Sequence, residues 1–165
     1  MTCTEIYSVG KNHCEKLGEV SNSWRGAMYV WNQIAKKYFN LDYFPYFDKD
    51  LQRKIWNAGD YHTLTAPELI VLASTMDNVT VKATDVPRLI EALEAYSLDN
   101  QNSSTDEQAA IIKAAELSPD HHIAWCQSTL GPFKFDKKYD EDNNKYVYSD
   151  LSEAWDLFEQ MVHYI

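Results

Sequence analysis

The chain has 165 residues, 45% hydrophobic and 13% aromatic, which fits one folded domain and excludes the apolar-poor composition of a disordered segment. Its formal charge of -10 lies wholly in the second half: residues 1–82 hold nine acids and nine bases, residues 83–165 sixteen acids and six bases. That balance argues against direct nucleic-acid binding, which needs clustered Lys and Arg, and points to basic protein surfaces as partners. Cys3, Cys14 and Cys126 are an odd number without CxxC spacing and read as reduced thiols. The N-terminus MTCTEIYSVGKNH has no apolar signal core, and no window approaches the roughly eighteen apolar residues of a span. The expected localisation is cytoplasmic, with no membrane partner.

Glu5 to Val9 alternates as a strand, Gly10 to His13 reads as a turn, and Leu17 to Val20 returns as the hairpin partner. After Asn22 or Ser23 as N-cap, Trp24, Ala27, Met28, Trp31, Ile34, Ala35 and Tyr38 follow helical spacing and form one apolar stripe. The stretch YFNLDYFPYF, residues 38–47, packs six aromatics around Asn40 and Pro45 and reads as an irregular aromatic corner. A short helix over 51–56 and a loop over 57–62 follow. Thr65 and Glu68 supply a capping box for a helix over 66–76.

Val79, Val81 and Ala83 alternate with Thr80 and Lys82 as in a half-buried strand. Thr84 or Asp85 then caps a helix carrying Val86, Leu89, Ile90, Leu93 and Tyr96 on one face, with Pro87 in its first turn. Residues 97–105 form a polar linker. Ser104 and Glu107 make a second capping box before a helix that Pro119 ends. A strand over 122–129 comes next, then a hairpin pairing Phe133 to Phe135 with Lys145 to Tyr148 around a polar insert. A last helix from about Asp150 is expected to bury Leu151, Ala154, Trp155, Phe158 and Val162.

Chemistry is sparse. Cys126 with His121, His122 and Asp120 has the residue types of a thiol nucleophile, base and orienter. Four strand residues, however, separate His122 and Cys126 by roughly 13 Å, so a direct pair needs a histidine from elsewhere, such as His62. The same spacing defeats a zinc site on His121, His122 and Cys126, because consecutive strand residues face opposite ways. Aligning Asp140, Asp142 and Asn144 to a calcium loop puts Lys145 where glycine belongs and Leu151 where the bidentate Glu belongs. No GxGxxG or GxxxxGK[ST] occurs. The reading therefore assigns no catalytic residue, metal or cofactor.

What remains is an α+β single domain, four or five helices packed on a small, mainly antiparallel sheet. The expected function is non-enzymatic binding that blocks or scaffolds a basic partner, as a nucleic-acid mimic or a mobile-element inhibitor of a nucleic-acid-binding enzyme. Its candidate surface is Asp106, Glu107, Asp140, Glu141, Asp142, Asp150, Glu153 and Asp156. The alternative is a small hydrolase or transferase using Cys126 with a histidine.

Overall fold

A computed structural model describes residues 3–21, 23–127 and 133–161. The first strand, β1 (Cys3–Gly10), turns at Lys11 and Asn12 into β2 (His13–Ser21), as the alternation predicts. Asn12 takes a left-handed φ of 57°, a conformation that Asn tolerates and tight hairpins require. A bulge at Ile6/Tyr7 shifts the register so that Glu5 faces Glu19 and Tyr7 faces Lys16.

Five strands form one sheet in the order β2-β1-β4-β3-β7, where β3 is Val79–Lys82, β4 is His122–Gln127 and β7 is Trp155–Asp156. Every pair is antiparallel except β3 with β7. Alternation gives the sheet two different faces. Ile6, Val79, Val81 and Ile123 point into the main core, under helices α1 (Ser23–Phe39), α3 (Ala66–Ser74), α4 (Val86–Asp99) and α5 (Thr105–Lys113). Val9 and Ala124 point the other way and are covered by Phe133, Phe135, Leu151 and Ala154. At the edge, α5 approaches β2 so closely that a Cβ on Gly18 would meet Ile111 Cγ2 at 3.0 Å.

The amphipathic stripe of α1 buries Met28, Ile34 and Ala35, while Trp31 is half-buried at the rim of the core. Side chains of residues 23–26, Trp24 among them, lie outside the described set. The aromatic corner is irregular as expected, and Asp48 caps α2 (Lys49–Trp56) through Leu51 N–H. Trp31, Phe44 and Trp56 form one ring cluster with centroids 5.1 to 5.6 Å apart. The indole N–H of Trp31 donates to Thr75 Oγ1 at 2.8 Å, tying α1 to the end of α3.

The capping box on α3 forms, and its Glu68 does more than cap. Glu68 is 8% exposed and accepts from Lys37 Nζ at 2.5 Å, Tyr38 Oη at 2.5 Å and the Thr65 backbone at 2.9 Å. Burial pushes this carboxyl up, but those donors outweigh it and hold its pKa below the ordinary value.

Three expectations are corrected. The 97–105 linker is shorter, because α4 continues to Asp99 and Asn100 closes it by donating from its side chain to Tyr96 O. Ser104 makes no capping hydrogen bond, since its φ of 60° is left-handed; a buried hydroxyl pair, Ser103 with Thr105, stands beside it at 2.8 Å. The last segment is not one helix. Leu151–Glu153 is a 3-10 turn, Trp155–Asp156 joins the sheet beside Val79, and α6 spans only Leu157–Gln160. An apolar run of that length fits either period, and the Trp155 N–H to Asn78 carbonyl bond of 2.9 Å settles it in favour of the strand. Ser128, Thr129 and Val162, placed in elements by their pattern, lie outside the described residues.

Trp31→Ala is expected to lower unfolding stability by about 3 kcal/mol, since it empties the ring cluster and removes the indole bond to Thr75, whose hydroxyl keeps only its own bond to the Leu72 carbonyl. An unchanged urea midpoint would remove Trp31 from the framework. Because folding lowers the Glu68 pKa, its contribution is present above its unfolded value of about 4.5 and is lost as pH falls through the folded value. Glu68→Gln should flatten that part of the stability profile, read by urea titration between neutral and acidic pH.

Candidate functional site

The second small sheet is a hairpin of β5 (Lys138–Asp140) and β6 (Lys145–Val147). Its position corrects the expected pairing of 133–135 with 145–148. Phe133 and Phe135 are drawn onto the main sheet instead, where Phe133 stacks on Tyr7 at 4.3 Å, so the expected strand at 145–148 forms as β6 but takes its partner, β5, from within the polar insert. Asp140 organises the tip by accepting from the backbones of Asp142 and Asn143 and from the Asn143 amide. The Asn143 bonds chiefly hold its carboxyl below the usual range. Tyr139 pairs edge-on with Tyr146 across the strands at 5.2 Å.

Nothing in this hairpin enters the core. Tyr139, Tyr146 and Val147 are 51%, 56% and 45% exposed, and Glu141 and Asp142 stand free of ion pairs among the described residues at the tip. Lys137 stands at the stem, its Nζ over the Tyr146 ring at 4.9 Å. Ser149 Oγ and Cys14 Sγ both donate to Asp136, rooting the stem on β2.

The remaining predicted surface residues belong to other elements. Asp106 and Glu107 are exposed in the first turn of α5, where carboxylates favour the helix dipole. Helix α5 covers one face of the sheet and the hairpin roots on the other, so the sheet stands between these two acidic groups. Asp150 accepts from Ser152 N–H, and Glu153 pairs with Lys134 at 2.8 Å. Asp156 is corrected as a surface residue: it is 9% exposed, caps α6 through Glu159 N–H and lies 3.8 Å from Lys82 Nζ. Sequence reasoning missed the exposed Tyr139 and Tyr146, although their opposition across an acidic turn is a readable signal.

The thiol chemistry finds no partner for Cys126 among the described histidines. His62 packs edge-on against Phe39, and His122 shares its sheet face with Lys82 and Asp156, its pKa lowered chiefly by burial. His121 stacks on His13 with centroids 3.9 Å apart, and Ser8 Oγ lies 3.0 Å from His13 Nε2 and 3.3 Å from His121 Nδ1. Since Ser118 N–H also points at His121 Nδ1, that nitrogen is assigned as the acceptor and His13 Nε2 as the donor to Ser8. Burial, then Glu5 and Asp136, pushes the Cys126 thiol up, opposite to what a nucleophile needs.

No family model, curated protein or solved structure matches this chain. Among the described residues, no helix is long and apolar enough to cross a membrane.

Iodoacetamide at neutral pH is therefore expected to label Cys126 far more slowly in the folded protein than in urea, read by mass spectrometry of its peptide. Equal rates would reinstate an activated thiol.

Proposed function

We propose that the protein is a non-enzymatic binding protein that engages a basic protein surface through the projecting hairpin, blocking or scaffolding that partner. One observation carries this reading: a tyrosine pair and a free acidic tip are held in water on a hairpin that contributes nothing to the core. Two bare strands are marginal alone. Here the Asp140 turn and the Tyr139–Tyr146 contact hold them in one shape, which lowers the entropy cost of docking. Tyrosines supply contact area of the kind that dominates interface energetics. Glu141 and Asp142, at the rim, act mainly on encounter rate with a basic partner, helped by the net charge of -10.

A nucleic-acid mimic needs one continuous array of regularly spaced charge. With the sheet between Asp106 and Glu107 on one side and the hairpin root on the other, the reading narrows to the hairpin.

The test leaves Asp140 in place, because it builds the turn. Glu141→Lys with Asp142→Lys should slow association with the captured basic partner and weaken its salt dependence. Tyr139→Ala with Tyr146→Ala should speed dissociation. Both variants should keep the wild-type circular dichroism. Capture from producing cells at low and high salt supplies the partner, and stopped-flow mixing supplies the rates. Rates identical in all three proteins would reduce the hairpin to a solubilising surface.

A further inference from the structure

At the end of the sheet face that carries Tyr7 and Val9 stands a set of donor atoms that the hairpin reading does not use. Cys3 and Glu5 alternate along β1, and Glu19 is opposite Glu5 on β2, so the three side chains leave one face. Cys3 Sγ and one oxygen of each glutamate lie within 4.8 Å of one another. The Cys3 thiol is 3.8 Å from Glu19 Oε2. That is close to the edge, roughly 3.5 Å, of a tetrahedron of sulfur and oxygen ligands around zinc.

A further, buried thiol stands on the neighbouring strand β4, outside that 4.8 Å group, and reaches it by turning toward Glu5. Cys126 is registered directly opposite Glu5, is only 9% exposed, and its thiol donates no hydrogen bond among the described residues. Tyr7 donates to Glu5 Oε2 at 2.8 Å, the kind of outer bond that orients a metal-binding carboxylate.

The place between the carboxylates is already cationic. Lys16 Nζ lies 2.8 Å from Glu5 Oε1 and 2.6 Å from Glu19 Oε2. Its side chain is 39% exposed, so the ammonium can withdraw into water without unfolding anything.

We propose that Cys3, Glu5 and Glu19, joined by Cys126 when its side chain turns toward Glu5, form a site for one thiophilic divalent cation of the zinc class, which Lys16 occupies until the metal displaces it. On binding, the S–H bonds of Cys3 and Cys126 break, two sulfur–metal bonds form, and both protons pass to solvent. Lys16 leaves with its own proton, and the two carboxylates exchange one cation for another. Two thiolates favour zinc, cobalt or cadmium over magnesium and calcium, which take oxygen ligands. Because protons are released, affinity rises with pH.

The experiment titrates cobalt(II) into the reduced, chelator-treated full chain without oxygen. Expected are one equivalent bound, a near-ultraviolet thiolate-to-cobalt charge-transfer band, visible bands of a tetrahedral ion, and loss of both when zinc is added. Cys3→Ser and Cys126→Ser should each weaken the charge-transfer band and together abolish it, while Cys14→Ser leaves it intact. Tyr7→Phe should weaken affinity about tenfold or more, and Lys16→Met should tighten it. Circular dichroism checks that each variant is folded. A band that survives the double cysteine change, or cobalt bound with no charge-transfer band, overturns the site. So does a band seen in Lys16→Met and absent from wild type, since Lys16 would then be a permanent occupant.

Discussion

The pairing of β1 with β4 is the contact on which the molecule depends. It sets Thr4 to Val9 against His122 to Gln127, joining two segments across more than a hundred intervening residues. Once that register is fixed, alternation decides both faces of the sheet. Ile6 and Ile123 go under the helices, and Val9 and Ala124 go under the 133–154 segment. A slip of β1 by one residue would turn that strand over, placing Glu5 in the main core and Ile6 outside it while Ile123 stayed inside. Burial of those isoleucines at 0% exposure therefore specifies the register as well as stabilising it.

The helical layer is then locked by polar contacts at two points. Glu68 gathers Lys37 and Tyr38 from α1 onto the start of α3, and the Trp31 indole ties α1 to the end of α3. Neither pair is large in isolation. Together they fix the two ends of one helix–helix contact, so sliding of α3 along α1 would break a buried carboxylate's bonds, which costs more than an apolar slip.

Much of this was legible in the residues. The opening hairpin, the α1 stripe, the Thr65–Glu68 box and the strand at Val79 follow from local periods and caps, and each is where its pattern puts it. What was illegible came from pairing across the chain. Trp155 sits at a spacing that suits a helix, yet β3 offers an unpaired edge and takes it as a strand. Phe133 and Phe135 alternate like strand residues, but their rings are worth more on Tyr7 and the sheet than in a solvated hairpin. Ser104 and Glu107 have capping-box spacing, and a left-handed φ, invisible in sequence, cancels it. For the candidate site, the composition carried the acidity and the tyrosines, but not which carboxylates would be consumed by structure.

That last distinction shapes the binding argument. Asp140 and Asp150 organise turns, Asp156 caps a helix from a buried position, and Glu153 is paired with Lys134. A carboxylate already accepting local hydrogen bonds has less to offer an incoming guanidinium or ammonium, and one buried at 9% exposure has almost nothing. Of the acids in the second half, Glu141 and Asp142 differ in standing beside exposed rings on a shaped hairpin. The net charge can raise the encounter rate from any direction, but it cannot choose an orientation. Orientation has to come from Tyr139 and Tyr146, whose edge-on geometry presents one fixed surface, so selectivity for a partner rests with the rings and speed with the charge.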